Sequence, residues 1–337
     1  MASGSKNPLA ALPWPFRTAV GIFFKVMNSA FRPDGTVNRR LINLLDWKSP
    51  PTRDPVHGVS SSDITVDPSR NLWFRLFVPA AAAAAAGPLP VIVYFHGGGF
   101  AAYSPASRAY DSLCRRIAGE VSAVVASFEY RLTPEHRFPC QYDDGIDTLR
   151  FIAENTASLL PENADLTRCF FAGDSAGGNL AHHVAVRAAQ EKIGQGRLRV
   201  EGLIAIQPFF GGSDRTESEI RLDKGPYNSL PITHTDWFWR AFLPEGADRD
   251  HWAANVSGPN AVDISGLADF PANTIIFAGG ADPLHDWQVR YYEWLKRSGH
   301  EAELVEFAEM GHGFYAFADL SESAQLMHKI KEFVTGI

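Results

Sequence analysis

Phe170-Phe171-Ala172-Gly173-Asp174-Ser175-Ala176-Gly177-Gly178 begins as an apolar run, crosses a G-x-S-x-G turn and enters a helix-like stretch. A serine on so sharp a turn stands its hydroxyl clear of a sheet, and the flanking glycines let strand and helix approach closely. The helix N-terminus adds the positive end of its dipole beside the serine. G-x-S-x-G alone recurs by chance; between a strand and a helix it is specific. Outward from this turn the same alternation repeats. Short apolar runs at 91–95, 123–128, 169–172, 203–206, 274–277 and 303–307 predict strands, the first of them wholly apolar, like a buried parallel strand. Stretches 107–118, 143–154, 179–191, 287–297 and 321–334 predict helices, and 62–67 and 73–78 two further strands ahead of the series. The alternation predicts an α/β fold, a mostly parallel central sheet with helices on both faces.

The serine needs a base, and in sheets of this kind the chain order is Ser, then Asp or Glu, then His. His312 lies in Glu309-Met310-Gly311-His312-Gly313-Phe314, a glycine-flanked loop after the last predicted strand. Asp282 lies in Gly280-Ala281-Asp282-Pro283-Leu284, at the carboxyl edge of the preceding strand, with Asp286 as its rival. The order Ser175, Asp282, His312 gives a nucleophile, an acid that fixes the imidazole tautomer, and a general base. Directly after the first apolar strand comes His96-Gly97-Gly98-Gly99-Phe100. Glycines allow backbone N–H groups to converge on one oxyanion without side-chain clash. Gly98 and Gly99, with Ala176 as a third donor, are the candidate oxyanion hole. His96, Gly97 and Asp174 are read as structural members of these motifs, His96 ordering its own loop. His182 and His183, inside the helix after the nucleophile, are read as packing or surface histidines, and His234, His251 and His300 as solvated.

Composition narrows the alternatives. The 337 residues carry 31 Lys+Arg against 38 Asp+Glu, a formal charge of −7, which argues against nucleic-acid or anionic-membrane partners. With 45% hydrophobic and 20% charged residues, disorder is excluded as the main state. Cys114, Cys140 and Cys169 are too scattered for a disulfide framework or a zinc site. No H-E-x-x-H or C-x-x-C occurs, so neither a metal nor another cofactor is expected. No apolar stretch reaches the roughly 18 residues of a membrane span, and the N-terminus lacks a secretory apolar core. The expectation is a cytoplasmic protein, or one shared with the nucleus, acting on a small molecule.

Two segments stand outside the alternation. Phe16, Val20, Phe23, Phe24, Met27 and Phe31 recur at helical spacing as one apolar stripe, and a second short helix is predicted at 39–47. Residues 1–55 are read as an N-terminal helical lid and 56–337 as the catalytic domain, with a cap inserted at about 210–270 that holds Trp237, Phe238 and Trp239. Phe24, Met27 and Phe238 are the candidate substrate-binding residues, an apolar set suited to an acyl or alcohol group.

HGGGF, YRLTPEHRFP, GDSAGGN, DPLHD and GHGF, in that order, resemble the hormone-sensitive-lipase group of α/β-hydrolases, and within it the plant carboxylesterases. The resemblance implies the α/β-hydrolase fold, a serine carboxylesterase without cofactor, and Asp282 over Asp286 as the triad acid. The N-terminal Arg32-Pro33-Asp34-Gly35-Thr36 and the segment Asp214–Glu219 also resemble the plant gibberellin receptors. In those receptors the triad histidine is replaced by an aliphatic residue and the third oxyanion glycine by serine. Their hormone-binding Arg and Tyr appear here as Thr235 and Phe238, and a lid tyrosine as Met27. A complete triad, in a chain without the hormone-binding Arg and Tyr, favours an esterase over a receptor. A dehydratase or cyclase on the same scaffold is the third alternative.

Overall fold

The computed structural model describes residues 14–80, 87–194, 196–224 and 230–336, with side chains from residue 21 onward. Eight strands form one sheet: β1 (Val59–Asp67), β2 (Leu72–Pro79), β3 (Leu89–Phe95), β4 (Val124–Phe128), β5 (Ala164–Asp174), β6 (Val200–Ile206), β7 (Asn273–Gly279) and β8 (Glu301–Phe307). Their order is β1-β2-β4-β3-β5-β6-β7-β8. β1 pairs antiparallel with β2, and β2 with β4; every other pairing is parallel. The helices between them are α3 (Arg108–Val121), α4 (Cys140–Leu159), α5 (Ala176–Gln190), α8 (His285–Arg297) and α9 (Ser321–Thr335). β3 is buried along its whole length, as its unbroken apolar run requires with both faces covered.

Register decides where the chemistry can gather. Phe95 lies opposite Gly173, Asp174 opposite Ile206, Ile206 opposite Phe277 and Gly279 opposite Phe307. Five strands therefore end level, and their carboxyl-end loops form one rim, where ligands bind in open parallel sheets.

The 210–270 stretch contributes α6 (Glu217–Leu222) and α7 (Ile232–Phe242). Ahead of the sheet lie α1 (Trp14–Asn28) and α2 (Arg39–Leu45). The expected apolar stripe needs correction. α1 stops at Asn28, so Phe31 is outside the helix, in a β-bridge with Val37. Phe23 is 37% exposed and Ile22 56%, while Met27 is buried at 4%. The side chains of Phe16 and Val20, and alanines 81–86, lie outside the described residues. The chain after α1 is clamped onto the body: Trp237 Nε1 donates to the Arg32 carbonyl at 2.7 Å, and Arg39 donates to the carbonyls of Ala101 and Thr133 and to Glu135.

Of the two readings open for His182 and His183 the structure takes packing, and His234, His251 and His300, expected to be solvated, are packed as well. His182 and His183 are buried on α5, the latter stacked on Tyr142 at 5.0 Å and edge-on to Trp252. His300 is half-buried and bonded to the Ile264 carbonyl at 2.9 Å, and His234 bonds the Asn28 carbonyl at 3.3 Å. His251 is half-buried too, stacked on Trp252 at 5.4 Å. Burial pushes His96 and His182 down to about 3 and His183 well below its usual value. The unfolded chain takes up these protons near pH 6.5, whereas the fold refuses them. Stability is therefore full above pH 6.5 and falls as the pH drops toward 3, by up to about 1.4 kcal/mol per pH unit for each histidine. Denaturant titrations between pH 7.5 and 4.5 should show this slope, and His183→Phe should make it shallower by about one proton. An unchanged slope in that variant would contradict the assignment.

Candidate active site

The nucleophile turn is built by crowding. Ser175 has φ 52° and ψ −120°, a conformation that non-glycine residues rarely adopt. A Cβ at Gly173 would lie 2.2 Å from the Gly177 carbonyl oxygen, and one at Gly177 would lie 1.9 Å from that of Phe95. Only glycine permits that approach, and it places Ser175 at the level end of β5, where α5 begins.

At the rim His312 Nε2 stands 3.0 Å from Ser175 Oγ, and His312 Nδ1 stands 2.8 Å from Asp282 Oδ2. Asp282 is fully buried. Its Oδ1 accepts from the Leu284 N–H at 2.9 Å and its Oδ2 from Gln288 Nε2 at 2.9 Å. Burial works against the imidazolium, but the Asp282 carboxylate at Nδ1 and the nearby charge of Asp174 outweigh it. His312 is held above its usual range. Asp286 points elsewhere: its Oδ2 accepts from the Ser218 N–H at 2.8 Å. The structure thus brings Ser175, Asp282 and His312 into one hydrogen-bonded line and leaves Asp286 out of it.

Opposite that line runs the glycine loop. Gly98 and Gly99 have φ of +104° and +62°. Among the described residues their N–H groups meet no protein acceptor, and Ala176, as the first residue of α5, has its own N–H free. Such amides can receive an anionic oxygen beside Ser175. Gly97 behaves differently, donating to Asp174 Oδ1 at 3.0 Å. His96 donates from Nδ1 to the Gly97 carbonyl at 2.8 Å and stacks on Tyr130 at 4.2 Å.

Asp174 is the residue whose importance the sequence understates. Its carboxylate accepts from the hydroxyls of Tyr94 at 2.8 Å, Tyr110 at 2.9 Å and Tyr315 at 2.6 Å. No motif pointed to these tyrosines or to Gln288, and Tyr94 was read as part of an apolar strand.

The candidate substrate-binding residues separate. Phe238 packs its ring over the glycine loop, where a Cβ on Gly99 would lie 2.5 Å from it. Phe31 joins it edge-on at 4.9 Å, a contact that helical spacing does not foretell. Met27 is buried in the same hydrophobic core as Phe31 and Phe238, and Phe24 is half-buried. Among the described residues no group of three or more His, Cys, Asp or Glu is placed to hold a metal ion.

Known proteins resemble this chain in sequence and in fold. A family model described as an alpha/beta hydrolase fold matches residues 92–316. Gibberellin receptor GID1C of Arabidopsis thaliana is 44% identical over 317 residues, covering 90% of this chain and 89% of its own. Carboxylesterase 20 of the same plant is 33% identical over 320 residues, covering 93% and 97%. Among solved structures, a Pyrobaculum calidifontis esterase superposes with a TM-score of 0.71 at 26% identity, covering 98% of this chain and 94% of that one.

The geometry separates the two aspartates by experiment. Neutral His312 is the form able to accept a proton, so kcat/KM for a nitrophenyl ester should rise with pH through a limb above 6.5. Asp282→Asn should lower that limb and cut kcat by about 10² to 10⁴. Asp286→Asn should leave both nearly unchanged, and a larger loss in the second variant would overturn the assignment.

Proposed function

The chain belongs to the α/β-hydrolase family, in the hormone-sensitive-lipase-like group that includes plant carboxylesterases and gibberellin receptors, and from that premise we propose that it is a serine carboxylesterase acting on a small or medium apolar ester. The observation that carries the reading is the continuous line from Ser175 Oγ through His312 to buried Asp282. Ser175 attacks the acyl carbon while His312 takes its proton. The amides of Gly98, Gly99 and Ala176 receive the oxyanion. His312 returns the proton to the leaving alcohol, and water then releases the acid by the same steps in reverse roles. Asp282 fixes the imidazole tautomer and stabilises the imidazolium.

One observation favours a second reading, a hormone-binding protein: the identity to a gibberellin receptor is 44%, against 33% to Carboxylesterase 20. The site supports the esterase instead. Thr235, at a hormone-contacting position, is buried with its hydroxyl bonded within its own helix to the Ile232 carbonyl at 3.0 Å. Phe238, at the other, offers only an apolar ring. Turnover of nitrophenyl esters should fall by roughly 10⁴ or more in a folded Ser175→Ala variant. Calorimetric titration of the wild type with an active gibberellin should give no heat at micromolar concentrations. A Ser175→Ala variant at full rate, or tight hormone binding, would reverse the choice.

The lid reading narrows to α1. Residues from Phe31 onward are clamped to the body by several side chains, whereas α1, which carries Phe24 and Met27, is held by the packing of Met27 and by the bond from His234 to the Asn28 carbonyl at its end. Removing residues 1–28 should therefore leave the fold and triad in place and weaken hydrolysis more for longer acyl chains. Each methylene removed from burial is worth about 0.8 kcal/mol, roughly fourfold in rate. The ratio of kcat/KM between full-length and shortened protein, from acetate to octanoate, measures this. A flat ratio would place the acyl chain away from α1.

A further inference from the structure

We propose that Gln207 is a positioning residue that holds the general base in register with the nucleophile, an inference that rests on the serine-hydrolase reading above. Gln207 follows the last residue of β6 and is fully buried, with a left-handed φ of +44°. A non-glycine side chain held in that region stores backbone strain, and such strain concentrates at functional sites. What the strain secures is visible in the amide. Gln207 Nε2 donates to the Gly311 carbonyl at 3.1 Å, and Gln207 Oε1 accepts from the Gly313 N–H at 2.8 Å. The two peptides bracket His312, so one side chain fixes the loop on both sides of the base.

The segment 206–209 also grips the nucleophile. The Ile206 carbonyl accepts from the Ser175 N–H at 2.9 Å, and the Phe209 N–H donates to the Ser175 carbonyl at 2.8 Å. Between them, the Gln207 N–H donates to the Phe277 carbonyl at 2.8 Å. The segment thus reads the backbone of Ser175 on one side and that of the His312 loop on the other. Gly279 keeps the space open, since a Cβ there would lie 2.6 Å from Gln207 Nε2.

The chemistry requires an amide. The Gly311 carbonyl needs a donor and the Gly313 N–H needs an acceptor, and glutamine supplies both without charge. Around His312 the charged groups are Asp282 at Nδ1 and Asp174 nearby, with Ser175 at Nε2. A glutamate at 207 would add a third carboxylate to that set and lose the donor.

Three variants test the assignment on nitrophenyl butyrate. Gln207→Met keeps length and removes both bonds; kcat should fall about 10- to 100-fold with KM within about twofold, the signature of a misplaced reacting group. Gln207→Asn suits the left-handed backbone but is too short to bracket the loop. The backbone preference of Asn offsets part of the lost bonds, so its denaturation midpoint should fall less than that of Gln207→Met while kcat falls at least as far, a split that a merely structural role would not produce. Gln207→Glu should move the acid limb of kcat/KM upward by about one pH unit. Wild-type kcat in the folded Met and Asn variants overturns the proposal. Should neither fold, an unshifted limb in Gln207→Glu overturns it alone. Ser175→Ala run in parallel separates the premise: full turnover there removes the hydrolase reading, whereas abolished turnover with an indifferent Gln207 removes only this inference.

Discussion

A carboxylate withdrawn from water must be surrounded by donors, and Asp174 recruits them from four separate segments. Tyr94 comes from β3, Tyr110 from α3, Tyr315 from the loop after His312, and the Gly97 N–H from the glycine loop. Burial pushes the Asp174 carboxyl above its ordinary range, although the three hydroxyls oppose that shift. Each donor removed would leave a buried acceptor short, at a cost of about 1–3 kcal/mol. Because Asp174 immediately precedes Ser175, satisfying its carboxylate also aligns the nucleophile turn, the glycine loop and the His312 loop. The sheet supplies the level rim, and this one group draws the loops together above it.

The rim's precision comes from backbone that other sequences could not adopt. Ser175 itself occupies a rare conformation, and Gly173 and Gly177 are spaced closer to neighbouring carbonyls than any Cβ allows. Strain of this kind persists only where surrounding structure over-determines it. Here the over-determination is the hydrogen-bonded strand register on both sides of β5, together with the buried β3 beneath the glycine loop.

The fold and the grouping of Ser175, Asp282 and His312 were legible because each depends on local pattern. Apolar runs bounded by glycine place the strands, and chain order with strand-end position picks out Ser175, Asp282 and His312. What pattern could not convey is tertiary. Helical spacing grouped Phe23 with Met27, yet α1 turns one outward and the other inward, since spacing fixes a face only to within a residue or two. His182 and His183 carry the polarity of a surface helix and are buried by the aromatic residues of α4, α8 and the 210–270 segment. Hydroxyl and amide partners such as Tyr315 and Gln288 leave no periodic trace. Their role exists only once the chain has brought distant loops within hydrogen-bonding reach.

Gly99 and Phe238 show how tightly the glycine loop and the cap segment are fitted to each other. The ring of Phe238 fills the volume that any side chain at Gly99 would enter, with only 2.5 Å to a Cβ placed there. Phe31 backs that ring, so it cannot retreat without disturbing the clamp between α7 and the N-terminal segment. A serine at 99 and an undisplaced phenyl ring at 238 are therefore mutually exclusive. The glycine loop, the Phe238 ring and the segment that packs behind that ring are one coupled set of contacts. Any side chain introduced at 99 therefore has to be accommodated at 238 and, behind it, at 31.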